Sequence, residues 1–437
     1  MTRTGSNLMT LLIVGFVVQT LGAQYSISKV QEPDRYALAP ELPYLPRYER
    51  DDDERLIKNA DYFCTSCAKE GRIAAKTRND MKEILETVKV YPSAVDGRTH
   101  HPAGRFRLMD ENAEHVLRFL FEELDTTEPI FIEDGMFRLF MDLPGTVFPE
   151  NQQPRRAREL EELRDVFPEL SPTATRLNAH HRAHLYLVRA HRVRRDFEFI
   201  VNHDPRASYM DYGGPYLGNL QKFAMFYFRD KGHLRSFVRS FVGNYPDPDG
   251  VWHNSVKDVG LSLAAFIQHD RDPWVNNVFT HRLAMALLLG YRRFTHYLPA
   301  WFVIGFGHVM ERRERTDYNT FIAGKAPLPS SPWRDSDWKV AVKKRLKSNK
   351  YPHFGVGCRH EEIGAIPFAD RPLCWSQVSY LMQLDLEKFG RFIHWLKQGP
   401  KAGEDPYVVQ KAGLKAIYDI EIEDFEAQWR EWVMQTY

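Results

Sequence analysis

Residues 279–313 read FTHRLAMALLLGYRRFTHYLPAWFVIGFGHVMERR, two apolar helical runs joined by a short turn at Leu298 and Pro299. Helix pairs of this cadence can build a metal site. One helix offers two His at i and i+4 on one face, with a Glu at i+1 to polarise a bound water, and the second helix supplies the last protein ligand. One coordination position stays open for that water. This chain keeps little of the template: His281 stands at the first ligand position, Arg282 stands where the Glu would be, and Met285 where the second His would be. One imidazole does not hold a catalytic zinc, which takes three protein ligands, and a guanidinium beside it repels the cation.

The spacing outlives the ligands. Eighteen residues separate Met285 from Ile304, and the turn and second run, YLPAWFVIGFGHVMERR, carry Leu298, Pro299, Ala300, Trp301, Gly305 and Glu311. On these residues the stretch resembles the gluzincin metallopeptidases of the HExxH-x18-E type, in particular the peptidase-MA-like families of exported bacterial proteins, whose second helix reads like LPxWxxEGxAExxE. The resemblance is strongest over 275–312 and reaches over about 172–437. It implies an α+β fold: a gluzincin-like mixed sheet with helices, followed by an α-helical C-terminal subdomain and preceded by an additional α/β unit. It also implies that the metal ligands and general base are largely lost, Arg282 being the decisive substitution, with Ile304 at the family's third ligand position and Met285 and Ile304 filling the former cleft.

A rebuilt site would use other residues. His308 lies four positions beyond Ile304 on the same helix face, where the family often carries a carboxylate that orients the first His. His281, His308 and Glu311 could converge as ligands, with His296 from the turn as a fourth; the competing reading has His281 and His308 packing or hydrogen-bonding across the helix pair. The remaining histidines considered, His100 and His101, His180 and His181, His253 and His360, read as surface or capping residues without ligand spacing. There is no G-x-S-x-G elbow and no phosphate-binding G-x-x-x-x-G-K-[ST] loop, and the glycines of FVIGFGHV fall inside the second helix.

Working outward, the chain is α/β first and all-α last. DYFCTS alternates like a strand, KEGRIAAKTRNDMKEILETVKVYP has helical spacing up to Pro92, GRFRLMD reads as a strand and NAEHVLRFLFEEL as a helix. EPIFIEDGMFRLFMDL predicts a hairpin turning at Asp134 and Gly135. A long helix ends near Pro205, KFAMFYFRD is a strand, HLRSFVRSFVG a helix, and GVWHNSVKDVGLSLAAFI a hairpin or strand pair. Strands closing at Asp110 and Asp230, each followed by a similar helix, raise a weak internal duplication, although any two strand-helix units look alike. The boundaries are a signal peptide (1–23), an extended tail (24–60), an N-terminal α/β unit (61–150), a charged linker (151–171), a second α/β unit (172–268), the degenerate helix pair (269–330) and an α-helical C-terminal subdomain (331–437).

Composition bounds the rest. Of 437 residues 43% are hydrophobic, enough for a sizeable core, and 59 Lys plus Arg against 58 Asp plus Glu leave no field that would recruit nucleic acid. Arg3, the apolar run Leu8–Leu21 and the small Ala23 read as a cleaved signal peptide, too short to span a bilayer, so the mature protein is expected to be secreted or periplasmic. Export makes disulfides available to Cys64, Cys67, Cys358 and Cys374, with connectivity open. CTSC is also a redox motif or half a zinc site, but it reads as lacking a CxxC or HxxxH partner. The expected function is a catalytically inactive peptidase-like binding or scaffold module, without cofactor, its former cleft taking a peptide or an envelope component. The alternative is a metal-dependent hydrolase built on His281, His308 and Glu311, for which zinc would be the cofactor.

Overall fold

A computed structural model describes residues 62–70, 119–120, 124, 129–147, 153–202, 216–219, 222–241, 250–254, 260–266, 272–292, 298–314, 320, 338–399 and 405–437. All of them belong to one unit, Ala39–Tyr437. The signal peptide, the tail, the helix ending at Pro92, the strand at 104–110 and most of the helix at 112–124 lie outside the described residues.

The fold is α+β. In chain order its first elements are β1 (Phe63–Cys64), α1 (Thr65–Lys69), β2 (Ile130–Glu133), β3 (Phe137–Asp142), β4 (Thr146–Val147), α2 (Gln153–Leu163), β5 (Arg176–Leu177) and α3 (Ala179–Ile200). There follow β6 (Phe223–Phe228), α4 (Lys231–Phe241), β7 (Gly250–Asn254), β8 (Gly260–Phe266), α5 (Asp272–Gly290) and α6 (Ala300–Glu314). The C-terminal part is helical: α7 (Trp338–Ser348), α8 (Phe354–Gly357), α9 (Arg371–Leu384), α10 (Leu386–Gln398), α11 (Pro406–Gly413) and α12 (Ile422–Thr436). The strand expected at DYFCTS is only two residues long, because Thr65 already begins α1.

Six strands form one mixed sheet in the order β1-β2-β3-β6-β8-β7. The hairpin turns at Asp134 and Gly135: Asp134 Oδ1 accepts from the backbone N–H groups of Met136 (2.7 Å) and Phe137 (2.8 Å), an Asx-type turn that sets the register Glu133↔Arg138. Strand β3 runs parallel to β6 and β6 parallel to β8, so strands from the first and second α/β units share a single sheet. A parallel central strand must be covered on both faces, and every residue of β6, FAMFYF, is buried. Alternation assigns the faces. Phe226 and Phe228 meet Phe237 of α4, whereas Tyr227, pointing the other way, meets Tyr186 of α3 and Phe279 of α5.

On the α3–α5 side, a buried ion cluster fixes the helices. The Arg189 guanidinium donates to both oxygens of Glu159 from α2, at 2.9 Å each, and to both oxygens of Asp272 at the head of α5, at 2.8 Å each. Two bidentate pairs on one planar fork specify how three helices meet, and removing a partner would strand a buried charge at a cost of about 3–5 kcal/mol. The C-terminal helices pack α9 against α6, and two buried indoles tie the elements together: Trp301 donates to Gln410 at 2.9 Å and Trp429 to Ser376 at 3.0 Å. At the end of α5, the buried Lys397 amine donates to the carbonyls of Leu288 (3.3 Å) and Leu289 (2.7 Å), and burial holds its pKa well below the usual lysine value.

Candidate functional site

Helices α5 and α6 lie side by side because the residues between them are small or interlocked. A Cβ on Gly307 would stand 2.9 Å from both His281 Cε1 and Met285 Cγ, and one on Gly305 would stand 2.5 Å from the Cys374 carbonyl oxygen of α9. The two glycines of FVIGFGHV therefore bring α6 close to α5 on one side and to α9 on the other. Met285 and Ile304 are buried core residues.

Three of the expected site residues do come together. His308 Nδ1 is 2.7 Å from Glu311 Oε1, His281 Nδ1 lies 3.2 Å from Glu311 Oε2, and the two imidazole rings are 4.5 Å apart. Ligating atoms of His281, His308 and Glu311 all lie within 4.8 Å of one another. Both Glu311 oxygens also accept from the backbone N–H of Thr320, at 3.2 and 3.1 Å. Burial lowers the pKa of His281 and takes that of His308 down to about 3, so both rings are neutral at pH 7. For Glu311, burial pushes upward, but His281 and His308 outweigh it and hold the carboxyl at about 2.

This cluster is closed. His281, Arg282, Ile304, His308 and Glu311 have 0% exposure, and Trp338 packs edge-on over His308 at 5.0 Å with the Arg312 guanidinium 4.3 Å from the Trp338 ring centroid. The surface pocket beneath Trp301, lined by Phe354, His360, Asp370, Cys374 and Gln377 among others, reaches none of the three ligating residues. His296 lies outside the described residues, as do His100 and His101, and for His253 only the backbone is described.

A second cluster corrects two expectations. All four cysteines are buried thiols with no disulfide among them, and CTSC does have an HxxxH partner: His180 and His184, one turn apart on α3. Asn178 caps α3 by accepting from the His181 N–H at 2.7 Å, and the helix then turns His180 and His184 to one face. Cys64 Sγ is 3.3 Å from His180 Nε2; Cys67 Sγ is 3.2 Å from His180 Nε2 and 3.3 Å from His184 Nε2. His180 Nδ1 contacts the Glu70 carboxylate at 3.0 Å. Hydrogen bonding to Cys64, helped by both imidazoles, brings the Cys67 thiol down to about 2 despite its burial, while burial raises Cys64 and lowers His184. Cys358 and Cys374, by contrast, are pushed up to about 12 by burial, which makes them inert thiols.

The missed residue is His184. The doublet His180-His181 drew the reading toward neighbours in sequence, which point apart on a helix, whereas the i, i+4 pair His180-x3-His184 was the available signal. No family model matches the chain, and neither curated proteins nor solved structures yield a match.

Proposed function

We propose that the chain is an exported, non-catalytic metallopeptidase-like module that works as a binding or scaffold protein. The observation that carries this reading is the complete burial of His281, His308 and Glu311, since a hydrolase must present its metal and its water to a substrate. The carboxylate that would serve as ligand is already engaged by His308 and the Thr320 N–H. Arg282 keeps a guanidinium at the position of the general base. A partner of the expected kind, a peptide or an envelope component, would dock on the outer surface, because Met285 and Ile304 fill the space between the helices.

A second reading rests on the convergence of three ligating atoms within 4.8 Å: a rebuilt metal-dependent hydrolase in which His281, His308 and Glu311 hold zinc. Casein hydrolysis by the purified full-length chain, compared with its His281→Ala variant, separates the two. The expected result is no hydrolysis by either protein and a metal content unaffected by His281→Ala. Hydrolysis by the parent that disappears in the variant would overturn the non-catalytic reading.

A further inference from the structure

The cluster that ties α1 to α3 brings four ligating atoms together. His180 Nδ1 faces the Glu70 carboxylate at 3.0 Å, so its proton belongs there and the Nε2 lone pair points inward. That one lone pair is approached by both sulfurs, at 3.3 and 3.2 Å, while Cys67 Sγ is approached by both imidazoles. Two sulfurs and two ring nitrogens thus converge, their ligating atoms all within 4.8 Å of one another, on a space that one cation can occupy.

We infer that Cys64, Cys67, His180 and His184 are the four ligands of a structural zinc(II) ion. The donor set is the two-sulfur, two-nitrogen combination that tetrahedral zinc prefers. Bonds of about 2.3 Å to sulfur and about 2.0–2.1 Å to nitrogen, at a tetrahedral angle, place S and N about 3.5 Å apart. The observed S···N separations of 3.2–3.3 Å lie close to that edge. Zinc displaces one proton from each thiol and changes no oxidation state; two thiolates, two neutral imidazoles and one dication leave a centre with no net charge. That suits its surroundings: both cysteines are 0% exposed, Phe167 stands edge-on to His180 (4.9 Å) and His184 (5.1 Å), and Tyr62 stands edge-on to His184 (5.1 Å). With four protein ligands no position is left for water, so the ion is structural. Glu70 plays the outer role of fixing the His180 tautomer. This site is separate from the α5–α6 cluster and does not depend on the non-catalytic reading.

The test is metal analysis of the full-length chain purified without chelator, with its native mass measured in parallel. The expected result is one zinc per chain, lost in Cys67→Ser, kept in His184→Cys, which restores a competent fourth ligand, and unchanged in His281→Ala. Should Cys67→Ser fail to fold, cobalt(II) loaded into the parent chain gives an independent readout: intense visible bands and thiolate-to-cobalt charge transfer are expected from a tetrahedral two-sulfur site. Glu70→Gln should weaken zinc affinity in chelator competition by about 10–100-fold. Parent protein free of zinc, zinc that persists in Cys67→Ser, a weak octahedral cobalt spectrum, or a native mass two hydrogens short from a Cys64–Cys67 disulfide would each overturn the assignment.

Discussion

Among the described residues, two buried clusters each bring ligand-type atoms within 4.8 Å of one another, and they differ in which groups face each other. Around Glu311, donors meet an acceptor: His308 Nδ1 and the Thr320 N–H point at an ionised carboxylate, and His281 Nδ1 stands 3.2 Å from it. Around Cys67, two sulfurs and two ring nitrogens face one another at 3.2–3.3 Å, the donor set that suits tetrahedral zinc. Convergence of His, Cys and Glu is therefore not in itself a metal site; the donor set and the partners its atoms already hold decide whether a cation is called for.

Substitutions should break this contrast in order of size. Cys67→Ser should release the metal and lower stability by more than about 4 kcal/mol in urea unfolding, the range reached when a structural metal is lost. Glu311→Ala should leave the zinc in place yet cost about 1–3 kcal/mol by the same measurement for each buried donor it leaves unsatisfied, His308 Nδ1 and the Thr320 N–H. Equal zinc loss in both variants would mean that the clusters are coupled. Gly305→Ala should cost about 1–3 kcal/mol in thermal unfolding by overpacking, and more than Gly307→Ala. The reason is that its Cβ meets the backbone oxygen of Cys374 at 2.5 Å, whereas Gly307 faces movable side-chain atoms of Met285 and His281 at 2.9 Å.

Acid provides the most specific probe. Burial depresses His308 from 6.5 to about 3, so below pH 6.5 the unfolded chain binds the proton that the folded chain refuses. Stability contributed by the neutral ring is thus full above pH 6.5 and falls as pH drops toward 3. Glu311, held at about 2 against an ordinary 4.5, extends the loss further: its share is present above pH 4.5 and disappears as pH falls through 2. In a Cys67→Ser background, where zinc release cannot overlay the titration, His308→Phe should make the fall between pH 6.5 and 3 shallower by up to about 1.4 kcal/mol per pH unit. An unchanged slope would show that His308 is protonated in the folded protein.

Much of the architecture was legible because it is written in local periods. The Asp134-Gly135 hairpin, the β6 strand and the amphipathic α4 each carry their own turn residue or hydrophobic repeat, and the α5–α6 pair was marked by its turn and spacing. The site at Glu311 was legible to the level of residue names: His281, His308 and Glu311 were singled out, and they meet. What sequence could not supply was the order of the sheet, in which β8 inserts between β6 and β7, nor the meeting of Cys64 with His180, 116 residues apart. Such contacts depend on how a helix cap rotates α3 and on which strand β1 joins, and no local pattern encodes either.

That 116-residue separation gives the cross-link a thermodynamic character of its own. Closing a loop of about 100 residues removes about 4.7 kcal/mol of entropy from the unfolded chain in the chain-entropy treatment, the service a covalent bridge would perform. Here the bridge is a coordination bond, so protons or a chelator can open it with no change of oxidation state. The same polypeptide then has two denatured ensembles, one looped and one linear, and its refolding after acid should depend on whether zinc is returned to it.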